Sequence, residues 1–227
     1  MLFAVILLLC QKRVRSTLWY SCFFALVGIA TVYVDFLTFP TLSLAIPLCL
    51  LIGCLQEKTV REKTTLTCVC CASWGIGYGG MWAGKWLLGM LFYGPAFLTN
   101  YVAESIAFRV SDSYAEEQYS RVEVIAKRLE KSFLTKEFRT LFYIIVGCLL
   151  IWLVVCCIRD RKHYYLQLLP YMVILCVPFV WTFVLCNHSA IHWFTYRTFV
   201  SYIFVLPAAL FAVLPRYSPQ DSVQIRQ

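Results

Sequence analysis

Long apolar stretches joined by short loops, with lysine and arginine confined to alternate loops, leave this chain few folds to choose from. The basic residues cluster at Lys12, Arg13 and Arg15, at Lys58, Arg61 and Lys63, and at Arg159, Arg161 and Lys162. The connections around Asp35 and His188 are nearly free of them, Arg197 excepted. Cytoplasmic loops retain Lys and Arg, so the clusters mark the inner face of a membrane. The segments VDFLTFP, GYGGMWAGKW and NHSAIHWFTYR then all meet the outer face.

A membrane-spanning helix needs about 20 mostly apolar residues. At 61% hydrophobic and 14% charged residues, the chain has the composition to supply several. Six stretches qualify: Ser16–Val34, Phe36–Leu55, Thr64–Gly84, Leu141–Ile158, Leu166–Cys186 and Thr198–Leu214. They lack the strict alternation of barrel strands, so helices are the expected spanning structure. The expected fold is all-α: one multi-pass bundle over residues 1–227, in the cell membrane. Met1–Cys10 is apolar but only about 15 Å long as a helix, against a hydrocarbon core of about 30 Å. It reads as a truncated first helix from a longer ancestor, or as a reentrant or interfacial start. The formal charge of +8 resides mostly in the three basic loops and suits anionic inner-leaflet lipid, the expected partner, without invoking nucleic acid.

Residues 99–139 change to mixed charge and read as one amphipathic helix on the outer surface. Ser113 with Glu116 forms a capping-box pattern. Val122, Ile125, Leu129 and Phe133 recur at helical spacing as an apolar stripe. Glu117 with Arg121, and Glu123 with Lys127, are i,i+4 pairs for the wet side. In the preceding segment Gly75, Gly79, Gly80 and Gly84 supply small-xxx-small spacings for close helix contact. Trp74, Trp82, Trp86 and Tyr93 suit an outer aromatic belt. The twelve cysteines lie in or beside apolar stretches and read as small hydrophobes.

Asp35 is the acidic residue flanked by long apolar segments on both sides. A carboxylate there serves as a general base, an ion ligand or an anchor for a divalent metal, or caps the following helix. His188 and His192 share a helix face, but no glutamate completes a zinc-hydrolase pattern. Asn187, His188, Tyr196 and Arg197 supply donors suited to phosphate or sugar oxygens. Lys85 either snorkels to lipid phosphate or pairs with an anionic ligand beside Arg197.

The blocks VYVDFLTFPTLSLAIPL (Val32–Leu48), WGIGYGGMWAGKW (Trp74–Trp86) and NHSAIHWFTYR (Asn187–Arg197) resemble the latter part of a family of large bacterial polytopic membrane proteins. That family is similar in layout to GT-C-type glycosyltransferases. The resemblance implies a glycosyltransferase module, or the remnant of one, using a polyprenyl-phosphate-linked sugar at the outer face. Arg197, His188 and Lys85 would contact the donor, and Asp35 would orient an acceptor hydroxyl or a metal. In such enzymes the catalytic carboxylate lies in the first outer loop, which would belong to a missing amino-terminal half or a partner subunit. The other expectation is a non-enzymatic membrane assembly or transport subunit.

Overall fold

The computed structural model describes residues 15–34, 40–114, 117–118, 120–133, 135–159 and 164–213, with positions 5 and 38 besides. Asp35, nearly all of Met1–Cys10 and the chain beyond Val213 lie outside the described residues. The fold is all-α, interrupted by a two-rung antiparallel ladder, β1 (Ser113–Tyr114) against β2 (Glu117–Gln118).

Three helices build the first half: α1 (Thr17–Val34), α2 (Thr41–Cys54) and α3 (Val60–Tyr93). At 34 residues, α3 is about 50 Å long. It starts on a capping box: Thr59 Oγ1 accepts from the Glu62 backbone N–H, and the Glu62 carboxylate accepts from the Thr59 N–H at 2.9 Å. These bonds hold the Glu62 carboxyl below its ordinary pKa. The Thr-x-x-Glu pattern at 59–62 is thus the operative one. At the other site, Ser113 lies in β1 instead of at a helix start, and Glu116 is outside the described residues.

Helices α1 and α3 run parallel, matched at Ser21 with Ser73 (Oγ–Oγ 2.7 Å) and at Tyr33 with Lys85. Two glycines permit the approach. A Cβ on Gly28 would strike the Trp74 carbonyl, and one on Gly77 would strike the backbone of Ala25. Gly75, Gly79, Gly80 and Gly84 have open space where a Cβ would be, so they do not form the close contact expected of them. Helix α2 completes the core through a polar knot. Trp74 Nε1 donates to Ser43 Oγ (3.1 Å), which donates to the Pro40 carbonyl (2.7 Å) and lies 2.7 Å from Thr31 Oγ1. Trp74 is therefore a core residue and not part of an interfacial belt.

Next come a π-helical turn (Phe97–Val102), α4 (Ala103–Val110), α5 (Arg121–Lys131) and α6 (Lys136–Arg159). After a 3-10 turn (Tyr164–Leu168) the chain forms α7 (Leu169–Val184) and α8 (Cys186–Ile191). A 3-10 segment (Trp193–Ser201) leads into α9 (Tyr202–Val213). The main core joins α1, α2 and α3 to α7 and α9 through Phe24, Leu44, Leu48, Cys70, Ile174 and Val205. Pro178 inside α7 removes a backbone donor, and Tyr202 Oη donates to the nearby Leu175 carbonyl at 2.9 Å.

Three helical stretches among the described residues are long and apolar enough to cross a membrane: Thr17–Val34, Leu166–Val184 and Phe194–Ala212. The other expected spans divide for physical reasons. Helix α2 has only 14 residues, short of the about 20 that a bilayer requires. Glycine, serine, threonine and tryptophan dilute the apolarity of α3. Leu141–Ile158 lies in α6, several of whose side chains fall outside the described residues.

Candidate functional site

One end of the bundle gathers the aromatic end of α3, the short helices α4 and α8, and α5 laid across α7 and α8. The single amphipathic helix expected over 99–139 is instead broken into α4, the β1–β2 ladder, α5 and the start of α6; α5 itself is amphipathic, and Glu123 pairs with Lys127 at 2.6 Å. Its packed face is turned from the expected stripe, however. Val124 and Arg128 are buried, while Val122 is 71% exposed. The reason is the work of two arginines, which bind backbone instead of water or carboxylate. Arg121 donates to the Phe183 carbonyl (2.7 Å) and the Val110 carbonyl (3.0 Å), the last turns of α7 and α4. Arg128, two helical turns on and 6% exposed, donates to the Ser189 and Ala190 carbonyls in α8, each at 2.5 Å. Helix C-termini leave carbonyls unsatisfied and carry partial negative charge, so a guanidinium fork suits them. Burial lowers the Arg128 pKa from its ordinary value. The side chain of Glu117, the partner expected for Arg121, is outside the described residues.

Asn187 completes the clamp. Fully buried, it donates from Nδ2 to the Phe108 carbonyl (2.6 Å) and from its backbone N–H to the Ser111 carbonyl (3.1 Å). The carboxyl end of α4 is therefore fixed from two sides, by Asn187 and Arg121. Arg109 sits on that last turn.

Arg109 was not among the residues singled out in the sequence, yet it stands at the main cavity. That cavity, of about 610 Å³, is a groove between α3 and α7 capped by α4. Its walls include Trp74, Tyr78, Trp82 and Trp86 of α3 and Val177 and Trp181 of α7, with Arg109 the charged residue of the lining. Gly75 and Gly79 face it, which explains the open space at both. The Arg109 guanidinium donates to the Ser105 carbonyl at 2.7 Å and lies 5.8 Å from the Trp82 ring centre. No carboxylate among the described residues forms an ion pair with it.

The described residues expected to form the site do not line this groove. Lys85 lies over the rings of Tyr33 (5.0 Å) and Trp82 (5.8 Å), so it shares Trp82 with Arg109. His188 and His192 do stand together, ring centres 4.5 Å apart, and His192 stacks on Phe194. His188 is buried beside Asn187 in α8. Arg197 lies over the ring of Tyr196, in the 3-10 segment that follows. The described lining of the groove contains Arg109 but neither Lys85 nor any of Asn187, His188, Tyr196 and Arg197. Asp35 lies outside the described residues. Among those residues no group of three or more His, Cys, Asp or Glu side chains is arranged to hold a metal, and nine cysteines are free thiols.

Comparison with known protein families, curated proteins and solved structures gave no match. The chemistry must be read from the groove itself.

Proposed function

We propose that this is a multi-pass protein of the cell membrane that binds an anionic lipid from the outer leaflet, as a glycosyltransferase-like module of GT-C layout would bind a polyprenyl-phosphate-linked sugar. The observation carrying this reading is the apolar groove that ends at a fixed arginine. An apolar chain gains by leaving water or detergent for such walls, and a cation at the rim favours an anionic headgroup. Lys85, over the same Trp82 ring, adds a second positive charge at that end. In this reading Asn187 and His188 act from behind, holding α4 and α8. Tyr196 and Arg197 flank the headgroup, and Asp35 serves as the carboxylate that orients an acceptor or holds a divalent metal.

The test is titration of the purified protein in neutral-lipid nanodiscs with a polyprenyl phosphate. Saturable binding is expected. Uptake that rises linearly with lipid, as simple partitioning does, would reject the reading. A second reading, an assembly subunit, is favoured by Leu87, Leu88, Leu91, Phe92 and Tyr93, which are all largely exposed at the end of α3. Exposed apolar runs mark lipid or partner contact. Co-purification of a stoichiometric membrane partner, without lipid binding, would select it.

A further inference from the structure

We infer that the α3–α7 groove takes one hydrocarbon chain ending in a phosphate, that Arg109 reads the phosphate, and that Gly79 keeps the chain's path open. The inference rests on the lipid-binding reading and names its ligand class and its residues.

Dimensions decide between one chain and two. At about 30 Å³ per water-sized group, a cavity of about 610 Å³ holds roughly 20 carbon-sized groups, about the four isoprene units of a single polyprenyl chain nearest its phosphate. The lining on α3 runs from Cys71 to Trp86, about 22 Å along the helix. One leaflet's hydrocarbon is about 15 Å deep, half of a core of about 30 Å. The groove therefore fits a chain descending one leaflet, with several ångströms left at the arginine end for a headgroup. A diacyl lipid would leave its second chain outside.

Charge complementarity decides the headgroup. Arg109 is half-buried, and its described hydrogen bonds go to Ser105 and not to a carboxylate. The carboxyl end of α4 is fixed by Asn187 and Arg121, so the guanidinium is held at the rim without ordering on binding. A guanidinium prefers phosphate oxygens, which accept charge-assisted hydrogen bonds. Gly79 faces the groove, and its Cβ direction is empty. A Cβ there meets nothing within 4 Å, and a larger side chain would project into the path. Gly80, next in sequence, is equally unobstructed but is not part of the lining, which makes it a matched control.

The experiment is native mass spectrometry of delipidated protein titrated with a polyprenyl phosphate, the corresponding polyprenol, a diacyl phosphatidic acid and inorganic phosphate. The polyprenyl phosphate is expected to bind at one site, at least about tenfold tighter than the alcohol, a difference of about 1.4 kcal/mol. Inorganic phosphate at millimolar concentration is expected not to compete, and the diacyl lipid is expected to bind more weakly. Arg109→Gln should erase the preference for phosphate over alcohol, and Arg109→Lys should restore part of it. Gly79→Leu should abolish binding while Gly80→Leu leaves it intact, both variants melting near the parent. Equal affinity of phosphate and alcohol for the parent would overturn the role of Arg109. Equal binding by the two leucine variants would overturn the groove as the site, while leaving lipid binding itself standing. Tighter binding of the diacyl lipid would overturn the single chain. Absence of any lipid binding by the parent would remove the broader functional reading instead.

Discussion

Replacing Gly77 by alanine and replacing Gly80 by alanine are the same chemical change three residues apart on one helix. The structure assigns them opposite effects. Glycine in a helix interior costs about 1 kcal/mol relative to alanine, so the substitution alone is favourable at both positions. At Gly80 nothing lies near the added methyl, and that gain is realised. At Gly77 the methyl would lie 2.9 Å from Ala25 Cα and 2.8 Å from its carbonyl carbon. Carbon atoms rest at about 3.5–4.0 Å, so α1 and α3 must part by the better part of an ångström. The obstacle is backbone, which has no rotamer to escape into. Overpacking of this kind costs up to about 3 kcal/mol. Offset by the propensity gain, the net effect is a loss of about 2 kcal/mol at Gly77 against a gain of about 1 kcal/mol at Gly80. The assay is reversible unfolding of the purified protein in mixed micelles, titrated with denaturing detergent. A shift of the same sign and similar size for both variants would refute the parallel α1–α3 packing argued above.

Other expectations follow from the clamp, the cap and the orientation. Asn187→Ala should destabilise by about 1–3 kcal/mol, the cost of leaving a buried polar group unpaired, and should speed amide exchange at the carboxyl end of α4. Unchanged exchange there would mean Asn187 does not hold that end. The Glu62 carboxyl is held low by the Thr59 cap, so its contribution is complete above the ordinary carboxylate range and fades as pH falls through its lowered value. Glu62→Gln, which removes the titrating group, should therefore flatten the acid limb of the stability curve, and an unaltered limb would dismiss the cap. In single-cysteine variants, positions 112 and 190 should react with an impermeant thiol reagent from outside, and position 60 only from inside. The reverse pattern would invert every outer-face argument.

How far the sequence anticipated the molecule depends on whether a feature is local. The first full span, expected at 16–34, is α1 at Thr17–Val34, because a long apolar run between polar flanks is a property of the run itself. His188 and His192 stand together because helical spacing alone puts them there. An amphipathic helix forms at Arg121–Lys131 for the same reason, but it covers only part of the stretch expected, and its facing was misread at Val122. Helical periodicity carries no sign that Arg128 buries itself on backbone carbonyls. The glycines show the same limit. Small-xxx-small spacing offered several faces of α3, and the choice fell to Gly77 because Ala25 and Gly28 of α1 oppose it. Arg109 was overlooked because it belongs to a mixed-charge stretch with no motif. What sets it apart is the cavity beneath it, built from α3 and α7, tens of residues away in either direction. The one available signal was Arg109 lying in the last turn of a short helix just ahead of the serine-rich bend.

The arginines of α5 also bear on how the chain's charge should be counted. Arg121 and Arg128 grip the carbonyl ends of α4, α7 and α8, and each such end presents roughly half a negative charge. Two positive charges are thus set against three partly negative poles, which offsets part of their field. The segment 99–139 carries seven basic and seven acidic residues, so with two of its arginines turned to backbone carbonyls it offers little net positive signal for orientation. A retention rule that acts on exposed lysine and arginine would then see the contrast between the inner loops and the outer face as sharper than the raw sequence suggests.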